Sequence, residues 1–174
     1  RCNRMVLWDF DHHKALKAKV RKYNSTLAGE ASVAFSLALG QAATFDCRIV
    51  PLPNIERVRD YFLWRQEDAH RNSLNSHCYW MLRKEGKSVQ EATAMLEGQS
   101  VSYKNELLFS RGINFDKLPS WQKRGIGIWR EQYEKEGFNL VTKKTEKAIR
   151  NRIHVEYELP LGQEYADLVV SFIK

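Results

Sequence analysis

Between Pro53 and Gly86 the chain reads as one long helical block, and any fold must be built around it. Asn54 is a capping residue at its start. Val58, Tyr61, Phe62, Trp64 and Arg65 open a stripe that Leu74, Tyr79, Trp80 and Leu82 carry on to a stop at Gly86. Shorter helices follow. Ser88 with Glu91 three residues later spells a capping box for a helix ending near Gly98, and residues 100–109 form another ahead of a loop at Gly112, Ile113 and Asn114.

Upstream of the block, Leu16, Val20, Tyr23, Leu27, Ala31, Ala34, Phe35 and Ala38 recur at helical spacing, which predicts a helix over residues 12–39 with Gly40 as its C-cap. Residues 44–50 alternate in aromatic and β-branched types before Pro51 and Pro53, the pattern of a strand. Downstream, residues 121–133 hold Gly125 and Gly127 among Ile126, Ile128, Trp129 and Tyr133. They read as a strand closely approached by other backbone, with its turn at Gly137. The charge-rich stretch 142–152 reads as a mobile loop. A short strand through Ile153, Val155 and Tyr157 and a helix over residues 163–173 complete the chain. Helices mixed with strands predict an α/β (α+β) fold, and 174 residues fit one domain with a real core.

No apolar run approaches the roughly 18 residues that span a bilayer, mean hydropathy is -0.54, and the N-terminal residues do not read as a secretory signal. A cytoplasmic protein is expected. Cys2, Cys47 and Cys78 are odd in number and widely spaced, which fits reduced thiols rather than disulfides or structural zinc. An excess of 28 Lys and Arg over 21 Asp and Glu gives a charge of +7 and a pI near 9.4. That balance favours a polyanionic partner through counterion release, with nucleic acid foremost. The same numbers also fit basic residues that merely solvate the outer faces of helices.

Several groups are candidates for chemistry. Lys14, Lys17 and Arg21 fall near one face of the first helix, with Lys19 and Lys22 on a neighbouring face, and such a surface neutralises phosphates. His70 and His77 lie two helical turns apart on one side of the long block. They lack the close i,i+4 spacing of a zinc pair, and Cys78 beside Tyr79 and Trp80 reads as core. Lys104, Asn105 and Glu106 combine a phosphate-seeking ammonium, an amide and a carboxylate. Asp46 reads as a buried structural carboxylate paired with Arg48 or Arg65. The chain has no Walker-type loop and no recognisable Ser-His-Asp arrangement.

Taken in order, Phe-Asp-Cys-Arg at 45–48, Trp-Arg-Gln at 64–66, His-Arg-Asn-Ser-Leu-Asn-Ser at 70–76, Lys-Asn-Glu at 104–106 and Gly-Ile-Asn-Phe at 112–115 resemble the tRNA-histidine guanylyltransferase family. The resemblance spans roughly residues 15–173 and is strongest over 44–131. It implies a polymerase-palm-like domain and 3′ to 5′ addition of nucleotides to tRNA 5′ ends. Residues 1–53 then correspond to a remnant of the palm core, 54–131 to the signature helical block and strand, and 132–174 to a C-terminal extension.

By the same resemblance, Lys19, Lys22, His70, Asn72, Lys104 and Asn105 are nucleotide- or tRNA-contacting residues. The partners implied are tRNA, GTP or ATP, and further copies of the chain, since the family is tetrameric. Ser73, Asn75 and Ser76 depart from the signature, which points to bacterial-type relatives that restore shortened tRNA 5′ ends. Run back without gaps from Lys22 and Tyr23, the family's Ser-Asp-Glu segment falls on Cys2, Asn3 and Arg4, and its earlier Asp-Gly-Arg falls before residue 1. Asn3 therefore stands at the metal-binding aspartate, while Asp9 and Asp11 read as helix-start charges. The expectation is that no catalytic or metal-binding residue is present, that the family's magnesium is not held tightly, and that the chain is inactive alone. The competing expectation is a non-catalytic tRNA-binding or assembly module, or a decayed gene product.

Overall fold

The structure, a computed structural model, describes residues 19–173 except Thr142. The chain divides into two compact units, with the boundary between Asn54 and Ile55.

In the first unit, helix α1 (Val20–Leu39) ends at Gly40, whose φ of 72° is the left-handed cap conformation and whose N–H donates to the Ser36 carbonyl at 2.9 Å. The expected helix before Val20 lies outside the described residues. The expected strand over 44–50 does not form. Ala43 exchanges hydrogen bonds with the Ser36 hydroxyl (2.9 and 3.1 Å), and the Phe45 N–H donates to the Ser32 hydroxyl at 3.0 Å. These backbone groups are thus satisfied by serines of α1 rather than by a neighbouring strand. Phe35 and Phe45 meet edge to face at 5.3 Å beside them.

The second unit is built on α2 (Ile55–Lys84), 30 residues and about 45 Å long. Helices α3 (Val89–Leu96), α4 (Val101–Phe109), α5 (Ser120–Arg124) and α6 (Gly162–Ser171) each pack on it. Leu74, Cys78, Met81 and Leu82 project one stripe of α2 into the core, where Ala92, Leu96, Leu107, Leu108 and Phe115 meet them. Each large apolar side chain buried there contributes roughly 1.5 to 3 kcal/mol. The Ser88–Glu91 capping box starts α3 as expected, and the Ser100 hydroxyl accepts from the Tyr103 N–H at the start of α4. An ion pair of 2.7 Å between Arg111 and Glu85 ties the loop after α4 to the end of α2.

Three expectations fail after residue 119. Ser120–Arg124 is a helix rather than the start of a strand, and Gly137 lies inside a strand instead of at its turn. Strands β1 (Gly127–Asn139) and β2 (Lys144–Glu156) pair antiparallel without a break, from Gly127 opposite Glu156 to Asn139 opposite Lys144. The stretch read as a mobile loop is therefore mostly β2. Cross-strand attraction ties the two strands together there: Lys147 reaches Glu134 at 3.1 Å, and Arg152 pairs with Glu131 and lies 5.3 Å from the centre of the Tyr133 ring. At the base of the hairpin, Trp129 stacks between His154 (4.5 Å) and Phe172 (5.1 Å). With one antiparallel strand pair among its helices, the unit is α+β, in line with the mixed class expected.

Candidate nucleotide and nucleic-acid interface

The middle of α2 presents the residues of the His70 pattern. Asp68 accepts from Arg65 at 3.3 Å and from Asn72 at 3.1 Å, and Arg71 approaches it at 3.6 Å. The Asn72 amide is thereby held along its own helix. Arg65 also lies 5.4 Å from the centre of the Trp64 ring. The reading of Asp46 as a buried carboxylate is corrected: Asp46 is exposed, and Arg65 takes a carboxylate one turn away on α2. Gln66 is buried and donates to the Pro160 carbonyl at 2.8 Å, a structural tie to the segment before α6.

His70 faces the 3-10 turn Phe115–Lys117 and α5. Its ring meets Phe115 edge to face at 5.3 Å, and His77 meets the same ring at 5.5 Å. The two histidines do share one side of α2, as expected, and the object between them is an aromatic ring. His77 Nδ1 lies 2.8 Å from the Ser73 carbonyl, which only accepts, so that nitrogen carries the proton. The Ser73 hydroxyl donates to the Gln122 carbonyl at 2.7 Å and docks α5.

Two cations from α5 complete the cluster. Lys123 is buried and donates to the Asp116 carbonyl at 2.5 Å, and Arg124 donates to the Ser120 hydroxyl. Burial first, then the charges of Lys123 and Arg124, lower the His70 pKa below the ordinary 6.5, with Asp116 pulling the other way. His70 is therefore neutral at pH 7. Its Nδ1 and the Arg124 Nε are both buried without a hydrogen-bond partner. Surplus positive charge beside an unpartnered N–H donor is an arrangement that an anionic oxygen completes.

The other sequence candidates lie elsewhere. Lys104 is half-buried on α4, and its carbonyl accepts from the Cys78 thiol at 3.3 Å. Cys78 lies eight residues after His70, about 12 Å along α2. The Asn105 amide donates back to the Val101 carbonyl at 3.1 Å, within its own helix. Lys19 and Lys22 are exposed at the start of α1, in the first unit. Asn3, Asp9 and Asp11 lie outside the described residues. Cys78 is fully buried in the core, as expected. Sequence reasoning held Phe115 only as the last residue of the Gly-Ile-Asn-Phe motif and missed Lys123 and Arg124. The one signal of those two was a basic pair just before Gly125 and shortly after Pro119, the end signature of a short helix. Among the described residues no group of three or more His, Cys, Asp or Glu side chains converges as a metal site.

Comparison with known proteins gives a consistent answer. A probable tRNA(His) guanylyltransferase of Dictyostelium discoideum is 36% identical over 131 residues, covering 74% of this chain and 51% of that protein. The tRNA(His) guanylyltransferase of Debaryomyces hansenii is 39% identical over 119 residues, covering 67% of this chain and 45% of its own length. The chain thus spans about half the length of these curated relatives. A bacterial tRNA(His) guanylyltransferase (Thg1)-like protein solved in complex with ATP superposes with a TM-score of 0.63 at 27% identity, covering 91% of this chain and 59% of that one. A bacterial Thg1-like protein in complex with GTP gives 0.57 at 28% identity, covering 90% and 57%. Residues 56–169 match the family described as the Thg1 C terminal domain, and the chain belongs to that family.

Proposed function

We propose that this chain forms the tRNA- and nucleotide-contacting part of an enzyme that adds nucleotides to tRNA 5′ ends in the 3′ to 5′ direction. The observation that carries this reading is the cluster of His70, Lys123 and Arg124, with two buried nitrogens left unpartnered. Relatives named for guanylyl transfer to tRNA, and bacterial relatives solved with ATP and GTP, support it. In this reading the fold is palm-like, with residues 1–53 part of the palm core, 54–131 the signature block and 132–174 an extension. The setting is the cytoplasm, and the partners are tRNA and GTP or ATP.

The division of labour follows from the side chains. Lys123 and Arg124 attract phosphate oxygens, and Arg124 Nε supplies a directed N–H. Neutral His70 offers one further hydrogen bond without adding charge that would over-bind product. Lys104 acts as a point charge on α4, and Lys19 and Lys22, in the first unit, are a further pair of cations for a polyanion. The family's chemistry proceeds by 5′ activation with a nucleoside triphosphate, followed by attack of an incoming nucleotide's 3′-hydroxyl. Magnesium would supply charge neutralisation there. The described residues do not fit it, because no carboxylate cluster converges among them, so no step is assigned to it here. The carboxylates are assigned to a part of the enzyme outside the described residues, and the chain alone is expected to be inactive.

The test is incorporation of labelled GTP into a 5′-shortened tRNA by the chain alone and with the upstream half of a bacterial Thg1-like protein added in trans, alongside a gel shift. Binding without incorporation by the chain alone, and incorporation with the half in trans, is the expected result. Binding without incorporation in either arm favours a non-catalytic tRNA-binding module. No binding at low salt overturns both.

A further inference from the structure

The two cations of α5 are held by uncharged oxygens. Lys123, itself buried, donates to the Asp116 carbonyl at 2.5 Å, and Arg124 donates to the Ser120 hydroxyl. Facing His70 from the 3-10 turn are the Phe115 ring and the exposed Asp116 carboxylate, from α5 Lys123 and Arg124, and on α2 itself His77 beyond the Phe115 ring. Positive charge thus exceeds negative charge around an imidazole. His70 Nδ1 and Arg124 Nε are buried there with no hydrogen-bond partner among the described residues.

A proton entering the His70 ring meets burial first and then the charges of Lys123 and Arg124. Burial belongs to the packing and stays when a ligand arrives. The two charges are different, because an anion beside them offsets their field. Protonation also makes Nδ1 a donor whichever tautomer the neutral ring holds, and the bond it then gives to an anionic oxygen is charge-assisted. An oxyanion seated on Arg124 Nε and His70 Nδ1 therefore favours the charged ring in two ways.

We propose that the α2–α5 cluster binds a tetrahedral oxyanion together with a proton, which His70 takes up from solvent as the anion arrives. The proposal rests on the reading that this cluster contacts phosphate oxygens, and it adds that proton concentration regulates the contact. No bond of the anion forms or breaks; the ring gains one proton and one positive charge. The sign follows from linkage. The bound form of His70 has a higher pKa than the free form, so binding takes up a proton between the two values. Above both, the ring stays neutral and supplies a hydrogen bond alone. Below both, it is charged before the anion comes. Affinity therefore rises as pH falls through the bound value and levels off below the free one. The terminal phosphate of a nucleotide and a phosphodiester of the RNA backbone share this chemistry.

The experiment follows the His70 ring resonance by NMR in the full chain, assigned by its loss in His70→Gln, from about pH 5 to about pH 8. Two probes keep their own charge over that range: sulfate, in place of a terminal phosphate, and a short RNA oligonucleotide, whose phosphodiesters represent the backbone. Chloride holds the ionic strength constant. The expected result is a His70 midpoint that rises with probe, and an affinity that tightens roughly tenfold from the alkaline to the acid plateau. His70→Gln should still bind through Lys123 and Arg124 but lose that tightening. Arg124→Gln should raise the midpoint of the free chain and shrink the effect of either probe. A rise with one probe only supports the proposal and assigns the site to that source. An equal rise at His154, which lies on the hairpin, marks a general salt effect and counts against it. Binding with an unmoved or lowered His70 midpoint overturns proton uptake while the phosphate-contact reading stands, and failure of both probes to bind at any pH in the range overturns both.

Discussion

Gln66 on α2 donates its side-chain amide to the carbonyl of Pro160, 94 residues away, at 2.8 Å. The bond joins the middle of the long helix to the segment between the hairpin and α6, and Gln66 is buried as it does so. The Trp-Arg-Gln pattern thus contributes a structural tie at its third position.

Gln66→Leu keeps the volume and removes the donor, leaving the Pro160 carbonyl without its partner. The expected loss is about 1 to 3 kcal/mol of stability, the cost of an unsatisfied buried acceptor. Denaturant titration measures it. A midpoint equal to that of the unsubstituted chain would mean the carbonyl finds water instead.

His70 makes stability pH-dependent in one direction. Its folded pKa is pushed below 6.5 by burial and by Lys123 and Arg124, so the unfolded state takes up a proton that the folded state resists. Its stabilising effect is complete above about pH 6.5 and is lost as pH falls towards the folded value. Glu85 and Glu91, lowered by hydrogen bonds from Arg111 and Ser88, lose theirs only below the ordinary 4.5. His70→Gln should therefore flatten the stability profile just below about pH 6.5 while leaving the carboxylate limb below about pH 4.5 in place. Thermal melts across that range decide it, and an unaltered profile would falsify the assignment.

What was legible in the chain is what local periodicity encodes. Leu74 and Leu82 mark the α2 stripe, and Ser88 with Glu91 marks a helix start, because both signals lie within one or two turns. The hairpin was legible only at its base, where residues 127–133 and Ile153 with Val155 lie in β1 and β2 as read. From Lys144 to Arg152 the strand is charge-rich and exposed, with Ala148 and Ile149 its only apolar side chains, and its opposite charges are paired only once Glu131 and Glu134 stand across from it. The candidate site divides the same way. His70 stood out by its pattern, whereas Lys123 and Arg124 sit in a five-residue helix too short to show a period. Their approach to His70 is a tertiary fact that no spacing in the sequence records.

Gly127 is required by space. A Cβ there would stand 2.7 Å from the Trp129 ring and 2.8 Å from a Leu159 methyl. Trp129 cannot swing away, since His154 and Phe172 hold its two sides, and Leu159 is buried. Gly127→Ala should cost about 1 to 3 kcal/mol through overpacking at the hairpin base, read as a lower melting temperature. Gly137→Ala, where nothing lies within 4 Å, is the control and should change stability far less.

The last prediction separates the cations of the α2–α5 cluster from the polar residues that only decorate α4. Each phosphate contact adds to the dependence of tRNA affinity on salt, because neutralising a phosphate releases condensed counterions. Arg124→Gln removes one charge and the unpartnered Nε donor, so the slope of log affinity against log salt should fall by about one, with weaker binding at every salt concentration. Lys104→Ala should give a smaller drop in the same direction. Asn105→Ala should change neither quantity, since the Asn105 amide is spent on the Val101 carbonyl of its own helix. Gel shifts over a salt series measure all three. Equal slopes for the Arg124→Gln variant and the unsubstituted chain would remove Arg124 from the nucleic-acid surface, and a defect confined to Asn105→Ala would move that surface to the exposed side of α4.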